Sequence, residues 1–316
     1  MAKPDLPSPT SHLPILIAGP TAVGKSEIAQ RLAEQLDGEI ISADSMQVYR
    51  GLDIGTAKPS PADRACVPHH LIDIRDLTES FDAAQFARLA HRAAAEIQSR
   101  GRVPIFCGGT GLYFKAFLEG LGEAPPADAR LRAVLEAAPL EKLLDELRKC
   151  DPAAYEKIDK KNPRRVIRAV EVIRLTGKPF SDQRADWNTQ PATRSLQHFF
   201  CFTRSSDDLR QRIDARVDAM FARGLVDETR ELLKRGLADN KTAMQAIGYR
   251  QVVEHLHGER SLPETIELVK IRTRRFAKRQ LTWFRARKNL EWIELKPDES
   301  LEKWPLEISR LIRKQN

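Results

Sequence analysis

The chain has 316 residues, a length that accommodates about two domains or one large domain with an insertion. Hydrophobic residues make up 41% of it and charged residues 30%, which excludes a wholly disordered, collagen-like or coiled-coil protein. The net charge of +8 invites a nucleic-acid hypothesis, and no run of residues approaches the roughly 18 apolar positions that a membrane helix needs.

Two features bear on the cellular compartment. The first 14 residues are polar and rich in proline and lack the apolar stretch of a signal peptide, so we interpret them as a loose tail. The four cysteines lie more than 40 residues apart, with no CxxC pair and no nearby histidine cluster, which predicts reduced thiols and no zinc site. We therefore expect a cytoplasmic protein with no membrane partner.

The first part of the chain alternates short apolar runs with helical periodicity. This alternation predicts an α/β fold with a parallel sheet that helices cover on both faces. The expected strands are 13–18, 39–43, 70–74 and 103–107, and the expected helices include 28–36 and about 81–98.

The pattern changes near residue 122. Residues 123–202 show helical periodicity with charged faces, and the apolar run HFFCF near their end is expected to rejoin the sheet. A further helix face runs from Leu209 to Phe221, and the remainder is expected to be helical and increasingly basic. The predicted organisation is a core formed by 1–122 and 203–316, with a helical insertion at 123–202.

The strongest motif is GPTAVGKS, which fits the phosphate-binding pattern GxxxxGK[ST] between the first strand and the first helix. Such a P-loop closes backbone N–H groups around phosphate oxygens, its lysine bridges phosphates, and its serine can ligate Mg²⁺. The core is therefore expected to resemble a nucleotide kinase. The candidate phosphate-binding residues are Gly19, Thr21, Ala22, Val23, Gly24, Lys25 and Ser26, and the candidate metal ligand is Ser26.

Two other polar residues follow predicted strands. Asp44 comes at the carboxyl end of the second strand, where it could be a general base, a magnesium ligand or only a capping residue. Thr110, in the sequence GGTGLY, could reach the same edge or simply cap a turn. Arg212 and Arg216 lie four apart on one helix face, where solvation is the default interpretation and a functional role the alternative.

The C-terminal part concentrates positive charge. Residues 271–288 contain eight basic residues and no acidic one, and the aromatic residues Phe276, Trp283 and Phe284 lie among them. This combination predicts phosphate neutralisation with base stacking, although the aromatic residues could instead form the buried face of a helix. Arg164, Arg165 and Arg168 in the insertion are either solvated or contact RNA phosphates.

Together these segments resemble the bacterial tRNA dimethylallyltransferase family over nearly the whole chain. The matching patterns, in order, are GPTAVGKS (19–26), DSMQVYRGLDIGTAKP (44–59), HHLIDI (69–74), GGTGLYFKA (108–116), NPRRVIRAVEV (162–172), ARVDAMFARGLVDE (215–228), AMQAIGYRQ (243–251) and RRFAKRQLTWFR (274–285).

The resemblance implies transfer of a dimethylallyl group from dimethylallyl diphosphate to N6 of the adenosine 3′ to the tRNA anticodon, with release of diphosphate. It implies that Lys25, Ser26, Thr110 and Arg216 hold the diphosphate with Mg²⁺, and that Asp44 accepts a proton from the adenine amine. The catalytic residues implied are thus Asp44, Thr110 and Arg216. The base must leave its stack to reach them.

The family also implies a tRNA anticodon stem-loop partner, clasped by the insertion, and we expect a monomer. The residues implied to contact tRNA are Asp44, Ser45, Met46, Gln47, Thr110, Arg164, Arg165, Arg168, Gln245, Gly248, Tyr249, Arg250, Lys278, Arg279, Gln280, Trp283 and Arg285. Three alternatives stay open: a nucleotide or small-molecule kinase, a transferase that prenylates free adenine nucleotides, and a non-enzymatic RNA-binding ATPase.

Overall fold

The computed structural model describes residues 13–122, 124–183, 198–287 and 289–315. Of the expected N-terminal tail, only residues 13 and 14 are described. Lys288 of the basic segment lies outside the described residues. The chain divides into a larger unit, Met1–Phe117 with Thr193–Asn316, and a smaller unit, Leu118–Ala192.

The strands and helices follow in this order: β1 Ile15–Ala18, α1 Lys25–Leu36, β2 Gly38–Ala43, α2 Pro61–Cys66, β3 His69–His70, α3 Ala83–Ser99, β4 Val103–Gly108, α4 Gly111–Glu119, α5 Ala129–Ala137, α6 Leu140–Cys150, α7 Pro152–Lys157, α8 Pro163–Thr176, β5 His198–Thr203, α9 Ser206–Ala222, α10 Leu225–Lys234, α11 Tyr249–Leu256, α12 Leu262–Arg285, β6 Glu291–Glu294 and α13 Trp304–Gln315.

The larger unit is built on one sheet with the strand order β3-β2-β4-β1-β5-β6, in which every neighbouring pair is parallel. All four residues of β1 are buried, as expected for a central strand covered on both faces. The predicted α/β fold with a parallel sheet is confirmed. Ala18 and Ala43 both pair with Gly108, so the carboxyl ends of β1, β2 and β4 meet at one edge.

Three details differ from the sequence prediction. The strand expected at 70–74 is wrong beyond its first residue, because Leu71 (φ 62°) and Asp73 (φ 55°) turn into left-handed conformations. The expectation of only helices after 203 missed β6, which pairs with β5. The boundary expected at 202 falls inside β5, which pairs with β1, and the smaller unit ends at Ala192.

The smaller unit contains helices and turns and, among its described residues, no strand. Its core lies between the apolar faces of α5, α6 and α8, where Leu135, Leu147 and Val166 are fully or almost fully buried. The α8 helix begins at the Asn162 cap, whose side chain accepts a hydrogen bond from a backbone N–H group, and ends at Gly177. Local helix signals therefore account for this unit.

The α12 helix is 24 residues long and belongs to the larger unit. It starts with a capping box formed by Ser261 and Glu264, and it buries Ala277, Gln280 and Phe284 on one face. Charged side chains occupy much of its other surface. No helix in the described ranges is both long and apolar enough to cross a membrane.

Candidate functional site

The loop between β1 and α1 has a backbone that only certain residues tolerate. Gly19 (φ 151°), Ala22 (φ 65°) and Gly24 (φ 110°) all have positive φ. A Cβ atom at Gly19 would lie 2.7 Å from the carbonyl oxygen of Phe202, so a larger residue does not fit there. Gly24 caps α1, and the open N–H groups of that helix start face the loop, which suits an anion.

Three cationic side chains face this loop. Lys25, Arg212 and Arg216 line a cavity of about 430 Å³ beside the backbone of Ala22 and Gly24. Burial lowers the pKa of Lys25 and of Arg216, and in the case of Arg216 the Asp44 carboxylate partly opposes the shift.

Neither Lys25 nor Arg216 forms an ion pair with a carboxylate anywhere in 13–122, 124–183, 198–287 or 289–315. Lys25 Nζ donates a hydrogen bond to the Pro20 carbonyl oxygen at 3.1 Å. Removing a cation from water without a partner is costly, so two half-buried cations at one loop indicate a site that an anion completes. Arg212 is also more than a solvated side chain, because its Nε donates to the Ala22 carbonyl oxygen at 2.9 Å.

Asp44 and Thr110 meet at the sheet edge, next to the loop. Asp44 Oδ1 accepts hydrogen bonds from the N–H groups of Met46 (2.8 Å) and Gln47 (3.3 Å). Thr110 Oγ1 accepts one from the Ser45 N–H group at 3.2 Å. No described residue donates to Asp44 Oδ2, so that oxygen is available to a ligand.

A single larger cavity of about 1080 Å³ joins these groups. Its polar wall includes Lys25, Ser26, Asp44, Thr110 and Arg216. Its apolar wall comes from α9 and α12 and includes Val217, Met220, Val269 and Phe276. The cavity therefore offers an anion site, a free carboxylate oxygen and an apolar surface together, and its volume lies just above the usual range of small-molecule sites.

Gln47 ties the Asp44 turn to its surroundings. Its Oε1 accepts from the Ser42 hydroxyl at 2.9 Å, and its Nε2 donates to the Thr56 carbonyl oxygen at 3.3 Å. The implied tRNA contact by Gln47 would thus have to compete with, or add to, these internal hydrogen bonds.

The residues expected to contact tRNA from α12 fall into two groups. Lys278, Arg279 and Arg285 are exposed, and Arg275 extends that surface. Gln280 is only 7% exposed, and its side chain is engaged inside the protein. Trp283 packs so closely on Gly111 that a Cβ there would lie 2.2 Å from the indole ring.

The arginines of α8 that were expected to contact tRNA also divide into exposed and internal residues. Arg164 and Arg165 are exposed on α8, whereas Arg168 donates to Glu171 Oε2 (2.7 Å) and to the Pro125 carbonyl oxygen (2.5 Å). Since Glu171 is fully buried, Arg168 is part of an internal ion pair.

The segment around α11 is similarly divided. Gln245 and Arg250 are exposed, and Gly248 is buried. Tyr249 is fully buried, so its side chain presents no surface to RNA in this structure, and the tRNA contact expected for it stays a prediction.

The chemistry of the site limits how it could hold a metal ion. No group of three or more His, Cys, Asp and Glu side chains suited to a metal occurs in the described part of the chain. Ser26 is exposed at the start of α1 and offers one hydroxyl oxygen toward the cavity. Mg²⁺ commonly takes one or two protein ligands, substrate phosphate oxygens and waters, so a Mg²⁺–diphosphate complex fits this donor set.

Cys107 lies beside the loop, with its Sγ 3.7 Å from the Lys25 carbonyl oxygen. Burial raises the pKa of its thiol to about 11, so the thiol stays protonated at neutral pH and is a poor nucleophile. The described cysteines are free thiols.

Sequence reasoning missed how Gln280 and Glu228 act on the site. Gln280 shares the buried face of α12 with Ala277 and Phe284, at helical spacing, and this was the one signal that it points inward. Glu228 gave no signal, because its partners Ile54 and Tyr249 lie far away in the sequence.

Comparison with known proteins gives the family. A family model described as IPP transferase matches residues 47–287. A tRNA dimethylallyltransferase of Trichlorobacter lovleyi is 49% identical over 284 residues, covering 88% of this chain and 92% of that protein. A tRNA dimethylallyltransferase of Geobacter sulfurreducens is 46% identical over 288 residues, covering 89% and 91%.

Comparison with solved structures gives the same result as the sequence comparisons. The tRNA isopentenylpyrophosphate transferase of Bacillus halodurans matches with a TM-score of 0.70 and 43% identity, covering 96% of this chain and 97% of that one. A eukaryotic dimethylallyltransferase acting on tRNA matches with a TM-score of 0.74 and 29% identity, covering 95% and 77%. The resemblance inferred from the sequence is confirmed: the chain belongs to the IPP transferase family.

Proposed function

We propose that this protein transfers a dimethylallyl group from dimethylallyl diphosphate to tRNA, at N6 of the adenosine 3′ to the anticodon. The observation that carries the proposal is the pairing of two half-buried cations, Lys25 and Arg216, with the free Oδ2 of Asp44 in one cavity. The cations suit a diphosphate leaving group, and the carboxylate suits a proton from the attacking amine. Relatives that are 46–49% identical carry the name of this activity.

The proposed role of the loop and its cations is to stabilise the diphosphate leaving group. As the allylic carbon–oxygen bond breaks, negative charge grows on the bridging oxygen of the diphosphate. Lys25, Arg216 and the phosphate-binding loop border one cavity, so they would stabilise that charge without rearrangement. In this reaction the P-loop holds a diphosphate that departs, and no nucleotide is hydrolysed.

The proposed role of Asp44 is to accept the proton that the adenine amine loses. The adenine amine attacks the allylic carbon, a nitrogen–carbon bond forms, and the nitrogen loses one proton to Asp44 Oδ2. The Met46 and Gln47 N–H groups hold Oδ1 and thereby orient the carboxylate toward the cavity. Thr110 borders the same turn through Ser45 and adds a hydroxyl group near the reacting atoms.

Mg²⁺ is the proposed cofactor, held by the diphosphate oxygens and by the Ser26 hydroxyl. When bound, it would neutralise part of the charge on the leaving diphosphate. This chain contributes the remaining positive charge through Lys25 and Arg216.

Each unit carries exposed cations that we propose contact tRNA, on α12 in the larger unit and on α8 in the smaller unit. Arg275, Lys278, Arg279 and Arg285 would neutralise phosphates, and Arg279 also borders the cavity, where an extruded adenine would enter. Arg164 and Arg165 would let the smaller unit contribute to clasping the tRNA. We further propose that the protein acts as a cytoplasmic monomer.

The test is a transfer assay with radiolabelled dimethylallyl diphosphate, Mg²⁺ and two tRNA transcripts that differ only at the position 3′ to the anticodon. Label should enter the adenosine transcript and not the guanosine transcript. Arg216→Gln should lower the rate strongly, whereas Arg310→Gln, an exposed control on α13, should not.

Parallel reactions with AMP, ADP and ATP as acceptors separate the alternatives. Label in a free nucleotide would place this chain with enzymes that prenylate nucleotides. No transfer to any acceptor, accompanied by ATP consumption, would favour a kinase or an ATPase.

A further inference from the structure

Gln280 connects the α12 helix to two loops of the site. Its Oε1 accepts a hydrogen bond from the Thr21 N–H group at 2.9 Å, and its Nε2 donates one to the Gly109 carbonyl oxygen, also at 2.9 Å. Thr21 lies in the phosphate-binding loop, and Gly109 immediately precedes Thr110. These hydrogen bonds span 259 and 171 positions of the chain.

We propose that Gln280 is a positioning residue that sets the diphosphate loop and the Thr110 loop at their working separation, and that it does not contact RNA. The proposal rests on the proposed function, since it takes the loop at Thr21 to be the diphosphate site. It reassigns a residue that the family resemblance had placed among the tRNA contacts.

The two hydrogen bonds require an amide. The Thr21 N–H group can only donate and the Gly109 carbonyl oxygen can only accept, so one end of the side chain must accept while the other donates. A carboxylate could satisfy Thr21 but would place a negative oxygen against the Gly109 carbonyl oxygen. An apolar side chain would leave the half-buried Thr21 N–H group and the buried Gly109 carbonyl oxygen without this partner.

The close approach of the backbones supports a fixed spacing. A Cβ at Gly109 would lie 2.2 Å from Gln280 Nε2 and 3.1 Å from the Gly19 carbonyl oxygen. A side chain at position 109 would therefore push the Gln280 amide away from its hydrogen bonds, with the phosphate-binding loop close on the other side. Three separate segments converge at this point, and Gln280 is the side chain that bonds to two of them.

The location of these hydrogen bonds indicates that they affect the binding of diphosphate and not the binding of RNA. Thr21 is followed directly by the residues Ala22 to Ser26, whose backbone and side chains surround the anion cavity. Thr110 borders the Asp44 turn. Without the Gln280 hydrogen bonds, the two walls of the cavity can shift apart, while the exposed cations Lys278 and Arg279 keep their places on the helix.

Two variants of full-length protein test the proposal. Gln280→Met keeps the length of the side chain and removes both hydrogen bonds, and Gln280→Glu keeps the acceptor and removes the donor. Thr282→Val is the matched control, because Thr282 lies on the same helix and is exposed, and its hydroxyl donates to the Lys278 carbonyl oxygen within that helix.

Five quantities are measured for each protein: the thermal midpoint, the Kd for Mg²⁺–diphosphate without RNA, the Kd for tRNA without donor, and kcat and KM for the donor. For Gln280→Met we expect a diphosphate Kd about tenfold higher or more, the effect expected from removing one or two buried hydrogen bonds, with the tRNA Kd within about twofold. Gln280→Glu should weaken diphosphate binding further, since its charge opposes the anion. Thr282→Val should match the wild type.

A Gln280→Met protein that keeps diphosphate affinity but loses tRNA affinity would show an RNA contact and overturn the proposal, as would a variant with both affinities unchanged. If Gln280→Met does not fold, Gln280→Glu decides by the same comparison, because it retains one hydrogen bond. Wild-type protein that fails to transfer label to tRNA would contradict the proposed function instead, whatever the variants do.

Discussion

The Tyr249 hydroxyl donates a 2.5 Å hydrogen bond to Glu228 Oε1, and its oxygen accepts another from the Gly55 N–H group at 3.0 Å. The Glu228 carboxylate also accepts from the Ile54 N–H group at 3.0 Å. A Cβ at Gly55 would lie 2.5 Å from the Tyr249 ring. One pair of side chains from α10 and α11 therefore fastens the loop that contains Thr56, which in turn bonds to Gln47 beside Asp44.

Removing the Tyr249 hydroxyl tests this attachment. Tyr249→Phe leaves the Gly55 N–H group without its acceptor and removes one hydrogen bond to Glu228. We expect it to lower the free energy of unfolding by about 1–3 kcal/mol, measured by urea denaturation. Tyr155→Phe, at a less buried tyrosine of the smaller unit, should change the unfolding free energy by less than about 0.5 kcal/mol. Equal effects of the two changes would contradict the role assigned to the Tyr249 hydrogen bonds.

Replacing Asp44 by asparagine separates its chemical role from its structural one. Asparagine keeps an oxygen that can accept from the Met46 and Gln47 N–H groups, so the turn should persist, but it cannot take up the proton. We expect kcat to fall by about 10²–10⁴-fold, with the thermal midpoint and the tRNA Kd little changed.

Single-turnover transfer and tRNA filter binding measure the two effects of Asp44→Asn. The control is Glu307→Gln, an exposed carboxylate on α13 that pairs with Arg310 and should leave kcat within about twofold. A rate for Asp44→Asn close to the wild-type rate would remove Asp44 from the role of base.

The elements nearest the site were predictable because their signals are local. The motif GPTAVGKS lies between an apolar strand and an amphipathic helix, and the apolar run before Asp44 identifies the second strand. Parallel strands then bring the loop, Asp44 and Thr110 to one edge of the sheet, as expected. Local pattern and the rule for parallel sheets therefore account for this part of the site.

The remaining features depend on residues that are distant in the sequence. The strand expected at 70–74 fails where Asp73 turns to pair with Lys58 at 2.5 Å and Arg64 at 2.7 Å. The short strand β6 carries three exposed or half-exposed residues out of four, so its apolar signal is weak. The inward role of Gln280 depends on Thr21, 259 positions away.

If the exposed cations of α12 bind tRNA, they should make the affinity for tRNA depend on the salt concentration. Replacing Arg275, Lys278 and Arg279 with alanine should weaken tRNA binding and reduce the slope of log K against log salt by about 0.7–0.9 for each phosphate that is no longer neutralised. Fluorescence anisotropy at a series of salt concentrations gives the slope. Arg274→Ala is a separate case, because Arg274 is half-buried and pairs with Asp214 at 3.5 Å, so it should cost stability more than salt dependence. An unchanged slope in the triple variant would mean that RNA binds another surface.

Glu39 should make the free energy of unfolding depend on pH in the acid range. Its side chain is 3% exposed, and it accepts hydrogen bonds from Arg100 (2.7 Å), Arg102 (3.1 Å) and His70 (2.6 Å). Burial alone would raise the pKa of Glu39, but the hydrogen bonds from these three partners outweigh it and lower the pKa below its ordinary value of 4.5. The unfolded chain therefore binds more protons than the folded one near this pH.

It follows that the Glu39 contribution to the free energy of unfolding is fully present above about pH 5 and disappears as the pH falls through the folded pKa. Glu39→Gln should be less stable than the wild type at pH 7, by about 1–3 kcal/mol because the arginine partners are partly exposed to solvent. The difference should shrink as the pH falls below about 5 and through the folded pKa, as the wild-type carboxyl takes up its proton. Urea denaturation across this pH range measures it, and Glu96→Gln, at an exposed glutamate on α3, serves as the control with a smaller effect. A difference that stays constant with pH would mean that Glu39 acts through packing and not through its charge.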